Sequence, residues 1–197
     1  TAPCTQEPTV SHTRVPDAQV TATPTAPSRW HVDLFAGTSS ALRYRLQTDP
    51  TCHVLAIDRM PFDTAVEYIP HEHRKRFHYW QEDIEHVTYE SLDTTLQDLG
   101  ASMNAVYSVH ASRSCKTVSI AHHGANPHRI GDWRSDDAIK DDRVLEHICT
   151  LLQQIIETHT EIPQSLENPL CMFADMPMVQ TLAQQDGWQM VREMHHC

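Results

Sequence analysis

A small set of residues in this chain has the types and spacing to do chemistry. Cys115 ends the stretch Ala111-Ser-Arg-Ser-Cys115, directly after an apolar segment, and a thiolate in that position can act as a nucleophile. Glu167, in Glu167-Asn168-Pro169, supplies a carboxyl group that can donate or accept a proton. Upstream, the run Trp30-His-Val-Asp-Leu-Phe-Ala-Gly-Thr-Ser-Ser40 breaks at Asp33 and reaches the small residues Gly37, Thr38 and Ser39 before a helix-like segment. Small residues there let backbone N–H groups and the next helix's N-terminus approach a polar ligand. Asp58, after a second apolar run, can accept hydrogen bonds from ribose hydroxyls.

These residues must be positioned by alternating elements. The patterning predicts a strand over His31–Phe35, a helix near Ser40–Thr48 and a strand over His53–Ile57. A polar segment with a basic cluster, His71-Glu-His-Arg-Lys-Arg-Phe77, follows. A short strand at Phe77–Trp80, a helix at Tyr89–Leu99 and a strand at Ala105–His110 come next. Helical spacing of Ile139, Val144, Leu145, Ile148, Leu151, Leu152, Ile155 and Ile156 predicts a long amphipathic helix over Asp137–Thr158. Gln164–Leu166 reads as a short strand, Met178–Gln185 as a helix and Gln189–Met194 as a last strand. Strand and helix in turn predict an α/β, doubly wound, mostly parallel sheet of Rossmann-like type. Cys115 then falls in a loop at the C-terminal edge of a strand, where ligands collect in such sheets.

With 197 residues the chain supports one sizeable domain. Residues 1–29, rich in Thr, Pro and Ala, read as a flexible tail, and 30–197 as the folded unit. No apolar run approaches a membrane span, and the six scattered cysteines form no CxxC pair, so a reducing intracellular compartment is expected. A net charge of −11 disfavours a surface built chiefly to grip phosphates. The cluster Arg74-Lys75-Arg76 reads as a solvated face, with phosphate contact as its alternative. The adjacent His195-His196-Cys197 cannot readily close one tetrahedral site, and no metal is expected.

The order of these pieces resembles the cytosine-C5 DNA methyltransferases, most closely their compact phage and mobile-element type. Asp33-Leu-Phe-Ala-Gly37 is similar to the family's first motif, Asp58 stands at its ribose-binding acid, and Glu82-Asp83-Ile84 at its next acidic motif. Ala111-Ser-Arg-Ser-Cys-Lys-Thr-Val-Ser119 resembles the nucleophile loop, and Glu167-Asn168-Pro169 the motif whose Glu contacts the target base. The resemblance implies S-adenosyl-L-methionine as cofactor, held by Asp33, Phe35, Ala36, Gly37, Thr38, Ser39, Asp58 and Asp83. Phe35 would pack on the adenine and Asp83 accept from its amino group. DNA is the implied substrate, with Cys115 and Glu167 catalytic. A thiolate adding to cytosine C6 pushes electron density to C5, which then attacks a sulfonium methyl group, while an acid at N3 stabilises the charge. The target base must first be flipped from its duplex.

The chain departs from the family in three places. Arg113-Ser114 precedes Cys115 where the family usually has a Pro-Pro pair, and Ser39 stands where a second glycine is common. After the Glu motif, no target-recognition region follows, so the piece reads as a cofactor-binding and catalytic half whose remainder another segment supplies. Two readings stay open beside the DNA enzyme: an inactive methyltransferase-like binding or interaction module, and an RNA cytosine methyltransferase. Cys115 also reads as an inert buried thiol and Glu167 as a capping carboxylate.

Overall fold

The computed structural model describes residues 28–112, 128–130, 133–167, 175–185 and 188. Its centre is a five-stranded sheet, all parallel, built from β1 (Arg29–Leu34), β2 (Cys52–Asp58), β3 (Phe77–Gln81), β4 (Val106–Ser112) and β7 (Gln164–Glu167), in the order β3-β2-β1-β4-β7. Between β4 and β7 in sequence, β5 (Arg129–Ile130) and β6 (Trp133–Arg134) pair as a short antiparallel ribbon. The helices are α1 (Ser40–Thr48), α2 (Phe62–Val66), α3 (Tyr89–Asp98), α4 (Asp136–Thr158) and α5 (Pro177–Ala183). The chain is therefore a doubly wound, Rossmann-like α/β fold, as the alternation predicts.

Each face of the sheet has its own core. Trp30, Val32 and Leu34 of β1 pack with Leu92 and Leu96 of α3 and with Leu145, Ile148 and Leu152 of α4. On the other face, Val54 and Ala56 of β2 and Phe77 of β3 pack with Leu42 and Leu46 of α1. α4 follows its predicted stripe except at Ile139, which is exposed in the first turn, and Ile156, which is half-buried. Its start is fixed by Ser135, whose side chain accepts from the Ala138 N–H, and α3 starts with a reciprocal Thr88–Ser91 box.

In the basic cluster Arg74 and Lys75 are exposed, as expected of a solvated face, and Arg76 is the exception. His71–Arg76 forms a 3₁₀ turn, and Arg76 points inward, donating to the carbonyls of Leu46 at 2.6 Å and of Asp49 and Cys52 at 2.8 Å. It thus satisfies carbonyls at the C-terminal end of α1, where a cation is favoured. Arg74 donates to the Ile69 carbonyl. A charge run does not reveal which of its members meets a helix end. α2 and the β5–β6 ribbon carry no sequence expectation. Both are too short for periodicity to show.

Strand order reverses between β2-β1 and β1-β4, and that switch point opens a crevice at the C-terminal edge of the sheet. The expected tail at 1–29 falls mainly outside the described residues, as does the strand expected at Gln189–Met194.

Candidate functional site

The crevice holds a cleft of about 580 Å³. Its floor is the turn after β1. Phe35 and Ala36 donate their N–H groups to the Ile57 carbonyl, at 2.9 and 3.1 Å, which turns the chain across the end of β2. The turn needs left-handed backbone at Phe35 (φ 67°), Gly37 (φ 53°) and Ser39 (φ 56°). Gly37 accepts this conformation without a Cβ penalty, whereas Phe35 and Ser39 are strained. A Cβ on Gly37 would meet no atom within 4 Å, so its conformation, not crowding, calls for glycine.

Asp58 locks this turn. Its Oδ2 accepts from the Gly37 N–H at 2.9 Å, and its Oδ1 accepts from the Met60 N–H at 3.0 Å. The Tyr79 hydroxyl donates to the Asp58 and Met60 carbonyls at 3.0 and 2.8 Å. Burial, with the Asp58 charge added, pushes the Tyr79 phenol up to about 12, so it stays a donor. Each carboxylate oxygen has a second lone pair, and Asp58 lines the cleft. Sugar hydroxyls can still bond to it.

Next to it, Glu82, Asp83, Ile84 and Glu85 form the wall beyond β3. Asp83 caps the 3₁₀ turn Ile84–His86 by accepting from the Glu85 N–H. Glu82 accepts from the Asp83 N–H and is hydrogen-bonded to His86 at 3.0 Å, a contact that holds its carboxyl below the ordinary range. Opposite, the first turns of α4 contribute Asp137, Lys140, Asp141 and Val144. Among the described residues six carboxylates thus line the cleft, at Asp58, Glu82, Asp83, Glu85, Asp137 and Asp141, against two cations, Arg59 and Lys140, the latter 3.9 Å from Glu85. Phe35, Ile57, Ile84 and Val144 give it apolar surface for a flat ring.

Of the residues singled out in the sequence, Phe35, Gly37, Asp58 and Asp83 line the cleft together. Asp33, Ala36, Thr38 and Ser39 do not. Alternation along β1 sends His31 and Asp33 to the face opposite Trp30, Val32 and Leu34, toward α1, and both are buried. Burial pushes the Asp33 carboxyl up to about 7, with the Arg45 guanidinium of α1 acting against the shift and the Asp58 charge adding to it. Ala36 packs on the α1-side core. The Ser39 hydroxyl is buried without a hydrogen-bond partner among the described residues. Glu167, the last residue of β7, lies at the cleft's edge, where its Oε2 accepts from the Ser112 hydroxyl at 2.6 Å, and Ser112 itself lines the cleft. Cys115, with Arg113, Ser114 and Ser119, lies outside the described residues, and so do His195-His196-Cys197.

The α4 residues and Ser112 went unread in the sequence. Their signal is acids at one-turn spacing, Asp137 and Asp141, at the start of a helix entered from a strand's C-terminal edge. Among the described residues no group of three or more His, Cys, Asp or Glu side chains could hold a metal ion. Among them, too, no helix is long and apolar enough to cross a membrane.

No protein-family model matches the chain, and no curated protein matches it. Several solved structures are similar in fold. An O-methyltransferase family protein from Burkholderia thailandensis is 19% identical over 64% of this chain and 30% of its own, with a TM-score of 0.35. A short chain dehydrogenase/reductase from Saccharomyces cerevisiae is 13% identical over 79% of this chain and 60% of its own, with a TM-score of 0.46. An antibiotic related methyltransferase is 12% identical over 64% of this chain and 52% of its own, with a TM-score of 0.34. This chain spans less than two thirds of the length of each of these. At such identities and TM-scores these likenesses decide nothing about function, and the chemistry of the cleft must carry any choice among functions.

Proposed function

We propose that the cleft binds S-adenosyl-L-methionine and that the chain is a cytosine-C5 methyltransferase domain acting on DNA. The observation that carries this reading is the charge of the lining, six carboxylates to two cations among the described residues. A dinucleotide would bring a pyrophosphate into that acidic wall, and the Gly37 N–H that could meet it is already donated to Asp58. A nucleoside bearing a sulfonium and an ammonium group is complementary to the same wall. The group supplies an electrophilic methyl. Asp58 would accept from the ribose hydroxyls, Asp83 from the adenine amino group, and Phe35 would lie against the ring.

The remaining support comes from where β4 and β7 end. Glu167 stands beside the cleft, and Cys115 follows β4 by three residues in sequence. In this reading Cys115 adds to C6 of a flipped cytosine and Glu167 meets N3.

The test is calorimetric titration of S-adenosylhomocysteine into the wild type and Asp58→Ala, followed by covalent trapping with 5-fluorocytosine oligonucleotides. Binding that weakens about tenfold in the variant, with a Cys115-dependent adduct on DNA, supports the reading. An adduct on RNA alone moves the substrate to RNA. Cofactor binding with no adduct on either leaves a binding module, and no cofactor binding ends the reading.

A further inference from the structure

Glu167 is an exposed residue with three rotatable side-chain bonds at the end of a four-residue strand that is the sheet's edge among the described residues, a poor mounting for a group that must meet a substrate atom. One neighbour corrects this. β4 and β7 run parallel with Ser112 directly beside Glu167, so the two side chains leave the same face of the sheet. The Ser112 hydroxyl donates to Glu167 Oε2 at 2.6 Å, the short separation of a bond to a charged acceptor. Two pairs earlier, and so on the same face, His110 and Ser165 are hydrogen-bonded across the same two strands at 2.7 Å. Two polar rungs on one face therefore tie β7 to β4, and the second ends at the cleft, which Ser112 lines.

We infer that Ser112 is a positioning residue: its hydroxyl holds Glu167 in one rotamer by engaging Oε2, and so leaves Oε1 as the oxygen offered to a substrate at the cleft's edge. This rests on the proposed methyltransferase reading for the identity of that substrate, but the positioning itself does not. A serine hydroxyl has one proton to donate, so the bond to Oε2 fixes which oxygen is engaged. His110, whose imidazole senses the Glu167 charge and that of Arg45, is the nearby titratable group on β4.

Three forms decide the matter: wild type, Ser112→Ala and Ser112→Thr. Side-chain carbon couplings of Glu167, measured by NMR, report a single rotamer in the wild type. They are expected to average in Ser112→Ala and to return to one rotamer in Ser112→Thr, which keeps the hydroxyl. Where methyl transfer is measurable, kcat falls about tenfold in Ser112→Ala with a smaller change in KM, and Ser112→Thr restores it. A Glu167 that stays in one rotamer in Ser112→Ala, or that averages in the wild type, overturns the inference. Absence of cofactor binding in all three forms instead overturns the methyltransferase reading, while the couplings still decide the role of Ser112.

Discussion

Two buried residues on the α1 side of β1 carry opposite pH signatures. Asp33 holds its proton to about pH 7 in the fold but loses it near 3.8 when unfolded, so its contribution to stability is full below 3.8 and is lost as pH rises to about 7. His31 behaves in reverse. Burial, helped by the charge of Arg45, depresses its imidazole to about 3 from 6.5, and its contribution is present above 6.5 and lost as pH falls. The two slopes overlap between about pH 4 and 6.5 and oppose each other. Asp33→Asn keeps the shape of the neutral carboxyl and removes one slope. The variant should match the wild type near pH 4 and exceed its unfolding free energy by about 4 kcal/mol at pH 8, checked by urea unfolding at both values. Its stability should then rise with pH through the acid range, reinforced by His53, His78 and His110, all of which burial depresses. A variant less stable than the wild type at pH 8 would show that the Asp33 charge is compensated in the fold.

At the scale of elements, α4 joins the core to the cleft. Its buried stripe packs on the sheet, while Asp137, Lys140 and Asp141 in its first turns wall the cleft. The Ser135 hydroxyl secures that end, accepting from the Ala138 N–H at 3.1 Å and hydrogen-bonded to His128 at 2.9 Å. Ser135→Ala should cost about 1 kcal/mol in thermal or denaturant unfolding and weaken S-adenosylhomocysteine binding, because the first turn carries the wall. The turn before α1 gives a parallel case. Gly37→Ala puts a Cβ at φ 53° and should cost about 1 kcal/mol, with loss of the Asp58 lock read as weaker cofactor binding in titration. The elements themselves were legible because five strands and four of the helices show in the apolar patterning, and the acids Asp58 and Asp83 could be placed at strand ends. The side each residue faces was not. Asp33 sits in a motif whose neighbours line the cleft, yet strand alternation turns it to the other face, and Asp137 and Asp141 went unread because it is packing against Ile84–His86 that aims the start of α4 inward.

For the molecule as a whole, charge separates the partners. A chain of net charge −11 with an acid-walled cleft attracts a cationic nucleoside and repels a polyanion, so the proposed cofactor and nucleic acid would meet opposite fields. S-adenosylmethionine carries one net positive charge and S-adenosylhomocysteine none. Raising the salt concentration from about 0.05 to 0.5 M screens the wall, so affinity for the first should fall several-fold and that for the second distinctly less, while NAD should bind more weakly than either throughout. Titration at two ionic strengths measures this directly. Equal salt slopes for the two nucleosides would remove charge complementarity as the basis for choosing a methyl donor over a dinucleotide. The same field bears on the substrate. DNA binding by this chain alone should be no tighter than the non-specific range, about 10⁻⁴–10⁻⁶ M at physiological salt, since phosphate contacts supply most of such affinity and the guanidinium of Arg76 is already spent on the α1 carbonyls. Nanomolar binding of duplex DNA in filter or fluorescence assays would place a basic surface outside the residues described here and would make target recognition a property of this chain, not of a second segment.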